Sequence, residues 1–256
     1  MEYNKKIFDD ISLLDISSEL LNAISEVVEK QRQKLAEVVE KSKKWLKYYG
    51  YNSFTEANSN LILKLAEANW CPYIGEITDS SVVFDIFKMI AECGNDADNF
   101  KENIDKLLLD YYDDKEITEI KNSWEKCSYD DVYKQLLAEA IDNFICKKYA
   151  STCVLLTSLY GRLIFIKTGL VFDREYGDKV KVGFKKLLPQ NNDKEKFFNY
   201  LDKEVLYQCN KLEDIRDESP GRNELMHGWY NNYPSRKKAL NAIIMTDFIL
   251  SLPKIV

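Results

Sequence analysis

At 256 residues with 45% hydrophobic side chains, the chain can fill a sizeable core, and its nine Gly and five Pro leave little room for a turn-rich β fold. The net charge of −6 is unevenly spread: residues 1–127 hold 16 Lys+Arg against 25 Asp+Glu, a balance of −9, and residues 128–256 hold 20 against 17, a balance of +3. An acidic chain is a poor generic polyanion binder, yet the mildly basic second half permits a local positive cleft. Met1 to Asp10 lacks the apolar run and small-residue cleavage site of a secretory signal, which points to a cytoplasmic protein. The longest apolar run, Cys153 to Ile166, is interrupted by Arg162 and falls short of the roughly twenty residues of a membrane span, so it reads as a core helix. Six cysteines without a CxxC pair and a single histidine argue against a metal site; the thiols read as small, reduced core residues.

Apolar residues from Leu13 through Leu46 recur at three- and four-residue steps, predicting a long amphipathic bundle helix that ends near Gly50. Shorter helices are expected at Ser53 to Asn69, ended by Trp70-Cys71-Pro72, then at Ser80 to Glu92, Asp98 to Tyr111 and Lys115 to Lys126. Gly94-Asn95-Asp96 and Asp113-Asp114 separate them as turns. The paired carboxylates Asp113-Asp114 and Asp130-Asp131 read as caps or solvated turns, because adjacent helix positions point apart.

The second half begins with a predicted hairpin, Tyr129 to Lys147 and Tyr149 to Thr168, the latter capped by Gly169. Further helices are expected at Val180 to Leu188, Asp193 to Ile215 and Ser235 to Leu252, the last turning Leu240, Ile243, Ile244, Phe248, Ile249 and Leu252 inward. The fold class is therefore all-α, a helical bundle with an additional N-terminal helical region. The charge shift and a helix break place the boundary near Ser128.

One segment combines residue types that carry chemistry: Arg216-Asp-Glu-Ser-Pro-Gly-Arg222-Asn223-Glu-Leu-Met-His227-Gly228-Trp-Tyr230. Ser219-Pro220 suits a helix start and Gly228 a stop, so Arg222 to His227 is expected to form a short helix on which Asn223 and His227 share a face. Histidine exchanges protons near neutrality. A guanidinium binds two phosphate oxygens and stabilises charge developing on them, and asparagine can orient either partner. The set suits metal-independent cleavage of RNA by attack of a 2′-hydroxyl on the adjacent phosphate. The plainer alternative is that Arg222 and His227 are helix caps or surface ion-pair partners. Against it stand the uniqueness of His227 and the use of scarce arginine where lysine is abundant. Lys211, Arg216 and Tyr230 are further candidates for RNA contact, and Tyr48, Tyr49, Tyr111, Tyr112 and Trp229 for base stacking or core packing. No phosphate-binding glycine loop is present, and no cofactor is expected.

The string Arg222-Asn-Glu-Leu-Met-His227-Gly, preceded by helices and followed by a long amphipathic one, resembles the signature of HEPN domains, an Arg and a His with four to six residues between them and usually Asn, Asp or His directly after the Arg. The resemblance covers residues 128–256, as a four- to five-helix bundle, and not residues 1–127. It implies a metal-independent endoribonuclease that works as a homodimer with two motifs facing one cleft, as in prokaryotic toxins, abortive-infection proteins and antiviral effectors. Arg222, Asn223 and His227 would be its catalytic set. The acidic N-terminal region would then sense, restrain, or dock an antitoxin or other defence partner. The alternative is a non-catalytic helical module that binds a nucleotide, RNA or protein through the same cleft.

Overall fold

In the computed structural model the described residues are 40, 43–44, 46–73, 80–170, 176–188, 193–207, 209, 212–215, 221–228 and 231–255. Most of the expected helix from Leu13 to Gly50 lies outside them. The chain divides into two compact units, residues 1–54 and 55–256. In the first, helical residues end in a turn at Gly50, whose φ of +78° suits the left-handed stop, and the Tyr51 N–H donates to the Leu46 carbonyl at 2.8 Å.

The second unit is all-α among its described residues. Its helices are α1 (Phe54–Glu67), α2 (Ser80–Cys93), α3 (Ala97–Tyr111), α4 (Asp114–Glu125), α5 (Asp131–Ile145), α6 (Tyr149–Thr168), α7 (Tyr176–Leu187), α8 (Lys194–Tyr200), α9 (Arg222–Met226) and α10 (Arg236–Ser251). Their starts follow from local chemistry. Asp96 accepts from Asn99 N–H, Asp113 from Lys115 and Glu116 N–H, and Ser235 from Lys238 N–H, each satisfying donors that a helix N-terminus leaves open. Asp130 precedes α5 without such a bond.

Helix α6 sits at the centre, packed by α5, α7, α9 and α10. It is apolar on all sides, as a helix enclosed by neighbours must be, and it is long and apolar enough to cross a membrane by length and composition. Here Leu156, Tyr160, Leu163 and Ile164 are fully enclosed. Two of its buried threonines return their hydroxyls to the helix, Thr157 to Cys153 O and Thr168 to Ile164 O, both at 2.8 Å, while Thr152 donates to Ala140 O of α5 at 3.1 Å. The expected α5–α6 hairpin is present, and Gly169 ends α6 in the left-handed conformation.

Helix α10 is almost as enclosed, and its buried polar side chains are all engaged. Asn241 accepts from Cys71 N–H at 2.7 Å and donates to Asn69 O at 2.8 Å, holding the turn after α1. Lys237 donates to Ala68 O at 2.9 Å and pairs with Asp105 at 2.7 Å. The expected break near Ser128 falls inside this unit, between α4 and α5, which pack together.

The single helix expected from Asp193 to Ile215 is not formed. Helix α8 passes into a π-turn at Leu201–Val205, the chain leaves helical geometry at Leu206, and among the described residues that follow up to Ile215 a 3₁₀ turn forms at Leu212–Asp214. Leu201, Val205, Leu206 and Cys209 are still buried as the pattern requires. A tertiary contact overrides the local propensity: the Tyr207 hydroxyl turns to a buried carboxylate, Glu224. The cysteines divide, with Cys71, Cys153 and Cys209 in the core and Cys146 exposed at the end of α5.

Candidate functional site

Helix α9 has five residues, too few to be stable alone, so its position must come from tertiary contacts. Its own Leu225 is buried. Glu224, fully enclosed, receives hydrogen bonds from the Tyr207 hydroxyl and the Lys238 ammonium, and Lys238 is itself buried on the first turn of α10. The ring of Tyr207 also covers Gly221, where a Cβ would stand 2.6 to 3.0 Å from the ring and hydroxyl. Thus α9 is held from beneath on both sides of Arg222, and it packs against α6.

His227 follows the last helical residue and is exposed, beside the exposed Met226. Gly228 closes the segment with φ +71° and donates its N–H to Leu225 O at 3.2 Å, the left-handed stop expected of a glycine there. Arg222 is half-buried, with its Nε enclosed, at the first helical position. Five residues of helical rise separate the two backbones by roughly 7.5 Å along the axis. Asn223 occupies the second position of α9; its side chain is outside the described part, as are Ser219, Pro220 and the expected contacts Lys211, Arg216, Trp229 and Tyr230.

Burial pushes the Cys153 thiol up to about 12 and raises Cys209, with the charges of Lys238 and Glu224 pulling in opposite directions at both. These neighbours of the ion pair are therefore protonated packing groups at neutral pH rather than nucleophiles. A separate cavity of about 560 Å³ lies at α4 and the end of α10, bordered by Tyr73, Tyr111, Tyr112, Trp124 and Asp247. Arg222 and His227 do not line it. Among the described residues, no group of three His, Cys, Asp or Glu side chains could hold a metal ion.

Sequence reasoning missed Tyr207, Gly221, Glu224 and Lys238. The signal available was the charge of Glu224 inside an otherwise apolar Leu225-Met226 step, and it does not identify a partner fourteen residues away. No family model matches the chain, and no curated protein or solved structure matches it.

Proposed function

We propose that the chain is a metal-independent endoribonuclease of HEPN type, active as a homodimer in which two copies of the Arg222 to His227 segment meet across one RNA-binding groove. The observation that carries this reading is the sole histidine, His227, exposed at the end of a helix that begins with Arg222-Asn223 and is anchored from its inner side by Glu224.

In this reading one His227 imidazole accepts the proton of a ribose 2′-hydroxyl as that oxygen attacks the adjacent phosphorus. The bond from phosphorus to the 5′-oxygen breaks, and that oxygen takes a proton from an imidazolium, which the second protomer supplies. The products are a 2′,3′-cyclic phosphate and a 5′-hydroxyl. Arg222 binds the non-bridging oxygens and offsets the charge that accumulates on them, while Asn223 orients the imidazole or the phosphate. The biological setting is the prokaryotic cytoplasm, in antiviral defence or as a toxin. Residues 1–127 act there as the sensing or restraining region that receives an antitoxin or partner.

The test incubates the full chain with RNA and a chelator and compares Arg222→Ala and His227→Ala. Each substitution is expected to lower cleavage by at least roughly 100-fold, the scale of one proton-transfer or charge-stabilising group. Equal cleavage by all three proteins removes the proposal. RNA binding without cleaved product, lost in Arg222→Ala, would establish the binding module in its place.

A further inference from the structure

A buried ion pair between a five-residue helix and its neighbour is an unusual way to hold a surface segment. Removing two charges from water costs several kcal/mol per ion, and apolar residues of similar volume often serve stability equally well. The pair here is Glu224, fully enclosed, with Lys238, and Tyr207 adds a third bond to the same carboxylate. All three come from different parts of the chain: the stretch after the π-turn, the motif helix, and the first turn of α10. Glu224 stands two residues after Arg222 and three before His227, so fixing its carboxylate fixes the azimuth of α9 about its axis. Apolar packing through Leu225 alone would allow that short helix to rotate or slide. Directional bonds from two sides do not.

We propose that Tyr207, Glu224 and Lys238 are positioning residues for the Arg222–His227 site, setting the rotation and height of α9 so that the guanidinium and imidazole reach the same substrate phosphate. The proposal rests on the ribonuclease reading for the reaction it serves, but its structural content is separable. None of the three touches substrate; each acts through the backbone of α9.

The test uses the full chain with three variants. Tyr207→Phe keeps the ring over Gly221 and removes one bond. Glu224→Gln keeps an acceptor for Tyr207 and removes the charge facing Lys238. The double variant Glu224→Gln with Lys238→Met removes both charges together, so that neither is stranded and the fold survives. Two readouts are taken. The first is the kcat against KM split on a short RNA, expected to show kcat falling on the order of 10–100-fold with KM changed less than about twofold, because misplaced catalytic groups lose rate rather than binding. The second is the imidazole carbon–proton cross-peak of His227, a unique reporter because the chain has one histidine. It is expected to shift in every variant, while the double variant keeps a melting temperature within a few degrees of the parent.

A purely structural role predicts that kcat tracks melting temperature and recovers in the double variant; that result overturns the proposal. Should the parent chain cleave no RNA, the ribonuclease reading falls by itself and the His227 cross-peak decides. A shift in the three variants sustains positioning of the segment, and an unmoved peak ends it.

Discussion

The indole Nε1–H of Trp124 donates to the Asp247 carboxylate at 2.8 Å, joining α4 to the last third of α10. Trp124 is buried, and the other end of α10 is tied to α3: the Arg236 guanidinium donates to Leu109 O at 2.9 Å and Tyr112 O at 2.8 Å, satisfying carbonyls at the end of α3. Helices α3 and α4 therefore complete the core that the C-terminal helices begin. A fragment of residues 128–256 would expose the core faces of α5, α6 and α10, and strip Lys237 of Asp105. It is expected to lack a cooperative thermal transition by circular dichroism, whereas residues 55–256 melt cooperatively. In the full chain Trp124→Phe is expected to cost about 1–2 kcal/mol in urea denaturation, since Asp247 loses a donor. Independent folding of the 128–256 fragment would show that α3 and α4 are accessory.

Lys167 offers a pH-dependent prediction. Its buried ammonium donates to Leu250 O at 3.0 Å and to Leu252 O, closing the C-terminal end of α10. Burial holds its pKa below the ordinary lysine value of 10.5, with Cys127 pulling weakly the other way. Between the lowered folded value and 10.5 the unfolded chain binds more protons than the native one, so this lysine makes stability rise with pH across that window. Lys167→Met is expected to cost about 1–3 kcal/mol at neutral pH by stranding two carbonyls. The variant should also lose the upward slope. Denaturant titrations at stepped pH up to 10.5 check both, and parallel pH profiles for parent and variant would contradict the assignment.

These same residues show where the sequence is readable and where it is not. Local rules suffice for the starts at Asp113 and Ser235, for the stops at Gly169 and Gly228, and for the all-apolar α6, because each depends on neighbours within a turn or two of chain. They fail at the buried charges. Their charge alone assigns Glu224, Lys237, Lys238 and Lys167 to solvent, and only partners far along the chain make their enclosure tolerable. The same cause breaks the helix expected through Ile215: Tyr207 is drawn to Glu224, seventeen residues on, and no periodicity encodes that. For the site, the residue types and spacing from Arg222 to His227 were visible in the sequence. What holds them in place was not.

Gly221 supplies the last prediction, because its role is steric and can be isolated. A Cβ at this position would lie 2.6 Å from one ring carbon of Tyr207 and 2.8 Å from its hydroxyl, closer than packed atoms approach. Gly221→Ala must therefore push the ring aside, and the hydroxyl that bonds Glu224 moves with it. Overpacking of this kind costs about 1–3 kcal/mol. In a Tyr207→Ala background the obstruction is gone, so the added Gly221→Ala change is expected to be nearly free. A double-mutant cycle by urea denaturation should return a coupling of at least about 1 kcal/mol. Cleavage assays give the complementary result: Gly221→Ala should lower kcat, and the Tyr207→Ala pair should fail to restore it, since relief of the clash does not replace the lost bond to Glu224. Additive stabilities, or activity regained in the double variant, would separate Gly221 from the anchoring of α9 and leave its smallness without a role.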